Sequence, residues 1–324
     1  MLRRIALSLL ATLAAGCLPA DTRPPPAAVE MTASAGPGTR GITDTVDGYQ
    51  IGFEFVRASI GQPYVGDQSG DDGGPCSEYY SPQYSRLFDF VAVEQPEKVG
   101  LGYALGPCSF SYFLRFPNYD AIIGTGATAE DGDYMRTPPD GDESMDMDMD
   151  MDTGISLWVS GLATKGDIVK SFKWEFRAYM GLRECWIPDG DTKQTTFTLA
   201  SDEKLTLNVE MQAEALFRDQ LDAASGLLRF QPFADADTNG DGAVSMEELD
   251  AVKLSDLYPG YVYPVIDPKV AIEDRNYYCA DTDGNEIAVI SLADYLYCAA
   301  APSVARFNGD GGCKIRVGRR RRRD

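Results

Sequence analysis

Leu205-Thr206-Leu207-Asn208-Val209-Glu210-Met211 alternates apolar and polar residues without a break. Successive side chains of a strand point to opposite faces, so such a stretch buries one face and wets the other. The same period of two recurs at Tyr49, Ile51, Phe53 and Phe55, and at Phe110, Tyr112, Leu114 and Phe116. It returns at Ile155, Leu157 and Val159 and at Phe172, Trp174 and Phe176. Clusters of Gly, Pro and Asp separate the runs, the punctuation of many short strands. The expected fold is therefore mainly β, an N-terminal antiparallel β-sandwich or barrel over residues 45–211. From Ala213 the period becomes helical, and residues 212–315 are expected as a small α-helical domain.

Inside that helical segment, residues 237–248 read Asp-Thr-Asn-Gly-Asp-Gly-Ala-Val-Ser-Met-Glu-Glu. The pattern resembles an EF-hand calcium loop, D-x-[DN]-x-[DN]-G followed by five residues and Glu. Calcium takes six to eight hard oxygen ligands, which a tight loop can present from alternate positions. The resemblance implies side-chain oxygens from Asp237, Asn239 and Asp241 and a sharp turn at Gly242. It also implies the backbone carbonyl of Ala243, Ser245 directly or through water, and Glu248 as the closing bidentate carboxylate. Val244 suits a short strand paired with a neighbour. A register starting at Asp235 would put Met246 at the closing position, so the Asp237 register is preferred.

The flanks agree. Phe233 precedes the loop, Leu249 and Val252 continue the outgoing helix on one face, and Ser245 with Glu248 has capping-box spacing. Pro232 confines the entering helix to a single turn. The result resembles the shortened EF-hands of secreted bacterial proteins more than a calmodulin-type sensor, and a groove-opening calcium switch is not expected. Downstream, Asp281-Thr282-Asp283-Gly284-Asn285 opens like a second loop, but Glu286 stands where Gly is wanted and Leu292 where the closing carboxylate belongs. Two readings stay open. One is a degenerate partner hand using Asp281, Asp283, Asn285 and, after a two-residue insertion, Asp294. The other is an Asp/Asn/Gly turn before a helix at 291–300.

At the N-terminus Arg3 and Arg4 precede an apolar run from Ile5 to Ala15, then Gly16 and Cys17. This has the form of a secretory signal peptide over residues 1–16. Leu13-Ala14-Ala15-Gly16-Cys17 resembles the lipobox of bacterial lipoproteins, with its Leu one position further from the Cys than the family favours. The resemblance implies lipidation of Cys17 and, with Leu18 rather than Asp following, anchorage in the outer membrane. Residues 17–44 are expected as a lipidated flexible tether. No other stretch approaches the ~20 apolar residues that span a bilayer. Beyond Cys17 six cysteines remain, an even number that suits three disulfides in an oxidising compartment. Of the fifteen connectivities six cysteines allow, we favour Cys76–Cys108, Cys279–Cys298 and Cys185–Cys313.

The formal net charge of -21 argues against nucleic-acid binding, which needs basic patches to neutralise phosphates. The absence of His excludes Ser-His-Asp and Cys-His catalysis, and no P-loop, GxSxG or HExxH occurs. Two segments are compositionally biased. The Met-Asp repeat at 144–152, within an expected disordered loop over 138–153, offers soft ligands for Cu(I). The basic tail at 316–324 is either simply disordered, the more ordinary case, or a contact for anionic lipid or lipopolysaccharide. Tyr79, Tyr80, Trp158, Trp174 and Trp186 are either a ligand platform or, more ordinarily for an all-β protein, core and rim. The expectation is an outer-membrane-anchored lipoprotein that binds Ca2+ and acts as a structural or binding module toward an unknown protein or glycan partner. A copper-handling protein and a glycan-active enzyme are the alternatives.

Overall fold

The computed structural model describes residues 23–67, 75–137, 154–190, 192–220, 226–257, 277–281 and 288–319. Cys17, the signal segment and the Met-Asp segment 138–153 lie outside the described residues. The chain is mainly β. Its first strands are β1 (Ala27–Ala35), β2 (Ile42–Asp44), β3 (Gln50–Gly66), β4 (Ser77–Tyr80), β5 (Ser85–Asp89) and β6 (Glu97–Leu114). There follow β7 (Ile122–Ile123), β8 (Leu157–Lys165), β9 (Ile168–Phe176), β10 (Ala178–Asp189), β11 (Thr192–Gln194), β12 (Phe197–Leu199) and β13 (Lys204–Met211). The last are β14 (Ala243–Val244), β15 (Tyr277–Asp281), β16 (Ala305–Phe307) and β17 (Gly312–Arg319). Helices are short: α1 (Pro37–Arg40), α2 (Ala129–Arg136), α3 (Gln231–Ala236), α4 (Met246–Ala251), α5 (Leu292–Tyr295) and α6 (Ala301–Ser303).

β6 serves two neighbourhoods. Its first half pairs antiparallel with β1, from Ala27 opposite Ala104 to Ala33 opposite Glu97. Its second half lies between β3 and β10, with Leu114 opposite both Ile60 and Met180. The changeover falls at Leu105-Gly106-Pro107-Cys108. Gly106 has φ of 95°, and a Cβ there would stand 2.4 Å from the carbonyl oxygen of Pro75, so only glycine fits. Cys108 is bonded to Cys76 beside that corner. The sheet thereby curls around one hydrophobic core, shared by Val29, Met31, Tyr112, Trp174, Val209 and Phe233.

The expected alternation holds along β9, where Phe172, Trp174 and Phe176 are buried, and along β13. It breaks in β3. Tyr49 and Ile51 face the core, but the register against β8 shifts between Phe53 and Phe55. A bulge inserts one residue and exchanges the faces beyond it. Val56, Ala58 and Ile60 become the buried set. Phe55, expected in line with Phe53, goes to the opposite face and packs with Trp158 under α2, in a satellite cluster with Leu87, Met135 and Ile155.

Four expectations are corrected. Ala27–Ala35, read as part of the tether, is β1, with Ala27, Val29, Met31, Ala33 and Ala35 turned inward. The sheet is mixed rather than purely antiparallel, because β1–β13, β5–β7, β9–β14 and β15–β17 run parallel. The boundary drawn at 211/212 is crossed by the sheet: β16 pairs with β13 and β17 with β10, and Phe217, Phe230 and Leu296 enter the common core. β17 also takes in residues 316–319 of the expected basic tail. The three disulfides are Cys76–Cys108, Cys185–Cys313 and Cys279–Cys298, the connectivity favoured from the sequence.

Replacing Gly106 with Ala forces a side chain into both a left-handed backbone and the Pro75 carbonyl. We expect Gly106→Ala to cost about 3 kcal/mol. Gly166→Ala, at φ of 57° with nothing within 4 Å, should cost only about 1 kcal/mol. Urea unfolding of both variants checks the order, and equal losses would remove the corner argument.

Candidate metal centre

The loop at 237–248 is entered from α3. Pro232 stands at its start, as expected, and its first free amides are met from elsewhere: Asp47 Oδ2 accepts from the N–H groups of Phe230 (2.9 Å) and Gln231 (2.7 Å). Phe230 and Phe233 are buried against Phe217, with centroids 5.4 Å apart in each case, and Phe233 lies 5.7 Å from Trp174 on β9. This aromatic wedge fixes where the loop starts. At the other end Ser245 caps α4 with a full capping box: its hydroxyl accepts from Glu248 N–H (3.2 Å), while Glu248 Oε2 accepts from Ser245 N–H (2.9 Å).

Between these anchors the loop coils on its own polar groups. Asp237 Oδ1 accepts from Gly240 N–H (2.8 Å) and Oδ2 from Gly242 N–H (3.0 Å). Asn239 Oδ1 accepts from Asp241 N–H (2.8 Å), and Asp241 Oδ1 from Ala243 N–H (2.7 Å). Gly240 and Gly242 take φ of 73° and 84°, which lets the chain turn twice in three residues. Val244 is buried, and β14 pairs in parallel with β9, Ala243 opposite Ser171. Ser171 N–H donates to Gly242 O (2.8 Å), and Trp174 Nε1–H donates to Val244 O (2.8 Å). The short strand anticipated at Val244 thus finds its neighbour on the sheet edge.

Sequence reasoning missed one charged member of this centre. Lys170 Nζ contacts Asp237 Oδ2, and the Asp237 side chain is 0% exposed, covered close to the surface by its own loop and by the lysine. The Lys170 ammonium holds the Asp237 carboxyl below its ordinary value; enclosure opposes this, and the Gly242 and Gly240 amides assist. Nothing local in the sequence couples residues 170 and 237; the β9–β14 pairing does.

The acidic side chains are not drawn into one cluster. Among the described residues no three His, Cys, Asp or Glu side chains gather closely enough to hold a metal ion. Asp237, Asp241 and Glu248 each turn to a donor of the loop itself. One oxygen stays uncommitted: Glu248 Oε1 is buried and has no hydrogen-bond partner among the described residues. A buried, unpaired carboxylate oxygen is costly, and a hard cation is the kind of partner that would satisfy it. The donor set is all oxygen, which also suits that ion.

Other candidates fare differently. In the second loop Asp281 ends β15, while Asp283 and Asn285 lie outside the described residues. Asp294 serves as a helix cap, its Oδ2 accepting from Ser291 N–H at 3.2 Å, and Ser291 Oγ donates to Asp250 Oδ1 at 3.0 Å. The aromatic residues considered as a platform are scattered. Trp174 is core, Trp158 stacks on Tyr134, Trp186 sits under Lys193, and the Tyr79 hydroxyl donates to Pro24 O. A cleft of about 320 Å³ beside Tyr64, Phe113 and Arg183 is lined, among the described residues, by one carboxylate, Asp67.

Trp174→Phe keeps most of the ring packing but strands the Val244 carbonyl. It should cost about 1–3 kcal/mol in urea unfolding and speed amide exchange at Ser171. Unchanged exchange there would show that the indole does not hold the loop to the sheet. No protein-family model, curated protein or solved structure matches this chain.

Proposed function

We propose that this chain is an outer-membrane-anchored lipoprotein that binds calcium through residues 237–248 and serves as a structural or binding module. The sheet is read as a β-sandwich carrying the loop on one edge. The observation that carries the calcium reading is the buried, unpartnered Glu248 Oε1, at the loop position expected to supply a bidentate ligand. Asp237, Asn239, Asp241, the Ala243 carbonyl, Ser245 and Glu248 would hold the ion. Bound there, calcium supplies two positive charges to three carboxylates. The chain's own residues determine what that does to the fold. Phe233 ties the loop entrance to Trp174, Val244 ties its middle to β9, and the Ser245–Glu248 cap ties its exit to α4. Occupancy would therefore brace the sheet edge and the helices against each other.

Three carboxylates with Asn239 and Ser245 suit the affinity of extracellular modules, roughly 10⁻⁴–10⁻³ M. At tenfold excess over Kd, binding adds about 1.4 kcal/mol to folding stability. Titration calorimetry on the purified chain should show one saturable site and a calcium-dependent rise in melting temperature. Both should vanish in Asp237→Ala/Glu248→Gln. No heat and no shift up to about 10 mM calcium would discard the reading.

The anchor rests on Leu13-Ala14-Ala15-Gly16-Cys17. β1 begins at Ala27, so about nine residues separate Cys17 from the sheet, a reach of roughly 30 Å when extended. Metabolic labelling with a radiolabelled fatty acid should mark the wild type and fail on Cys17→Ala. Equal labelling of the two would place any lipid elsewhere.

A further inference from the structure

We infer that Lys170 sets the cation specificity of the loop: its ammonium occupies the first ligand position as a resident cation, which divalent ions displace and monovalent ions do not. The inference rests on the calcium reading above and extends it. Lys170 lies on β9 immediately before Ser171, whose N–H bonds Gly242 O, so the strand pairing fixes the root of the lysine beside the loop. Its Nζ meets Asp237 Oδ2, the oxygen that also accepts from Gly242 N–H. The first carboxylate of the loop is thus neutralised from the sheet, at a side chain that solvent does not reach. The lysine itself is 18% exposed, so its flexible stem has a way out to water when the contact is lost.

The competition is unequal by charge. Sodium or potassium brings no more charge to Asp237 than the ammonium already does, and must shed water to enter. Calcium brings twice the charge and can engage Asp241 and Glu248 Oε1 at once, which a point ammonium on one oxygen cannot. Two properties follow. The ion-free loop stays folded against β9, because Asp237 is not left bare. The affinity for calcium is lower than the loop's ligands alone would give, because the lysine must first be moved.

The test is calcium titration calorimetry on the full-length purified chain in mild detergent at constant ionic strength. It compares the wild type with Lys170→Met, which keeps the stem and removes the charge. Lys170→Gln, which keeps a donor for Asp237 without charge, covers the case in which the methionine variant fails to fold. Either variant should bind calcium at least about tenfold more tightly than the wild type, and the methionine variant should melt lower when ion-free. Exchanging choline chloride for sodium chloride should weaken calcium binding in the variants and leave the wild type unaffected. Affinities within twofold of wild type, or weaker, overturn the inference while the calcium reading stands. Calcium binding by neither wild type nor variants overturns both, and binding by the variants alone overturns the claim that calcium displaces the lysine.

Discussion

A single strand has to belong to two parts of the sheet, and the rest of the architecture depends on that. β6 can do so because the chain breaks its direction at Gly106, where the left-handed backbone and the close Pro75 carbonyl exclude any Cβ. Before the break β6 organises β1 and β4; after it, β3 and β10. The Cys76–Cys108 bond crosses beside the bend, so the corner is held covalently as well as sterically. A strand of eighteen residues that stayed straight would make a flat ribbon with two wet faces; bent, it lets Val29 and Tyr112 share one interior.

The candidate metal centre borrows its rigidity from this sheet. The helices that flank the loop, α3 and α4, are only six residues each and need packing from elsewhere to stand. Here the support comes from Phe172 against Phe230, from Trp174 and Phe217 against Phe233, and from two residues of strand pairing. The loop therefore resembles a clasp on the sheet edge more than one half of a paired sensor. The α4 and α5 regions do touch, through the bridge of Lys253 with Ser291, but this lies beyond the loops and leaves Val244 to β9.

Features that arise from neighbouring residues were legible in the sequence. The alternation at 172–176 and 205–211, the Pro232 limit on α3, and the Ser245–Glu248 capping box are local chemistry, and the structure carries each of them. The disulfides were legible because six cysteines fall into close or complementary pairs. What escaped was set by distant partners or weak contrast. β1 alternates, but its inward residues are mostly Ala and its outward ones are Ala28, Glu30, Thr32 and Ser34, so little hydrophobic contrast rises above the Pro-Ala-rich surroundings. The bulge near Glu54 leaves Phe55 looking like a core residue on the wrong face. Lys170 was invisible as a member of the centre because 67 residues separate it from Asp237.

The place of β17 has a consequence in time. It lies between β10 and β15, and its Cys313 reaches back 128 residues to Cys185. Tyr112 likewise donates its hydroxyl to the Ala305 carbonyl, 193 residues on. β1 pairs with the nearer β6 on one side, but its other side waits for β13, some 176 residues later. Such pairings close large loops before any contact repays the lost entropy, so they form slowly and late. Until β17 is present, β10 offers an open edge flanked by the apolar Met180 and Leu182. Local hairpins such as β8–β9 can form early, but the sheet closes only when these distant strands are in place.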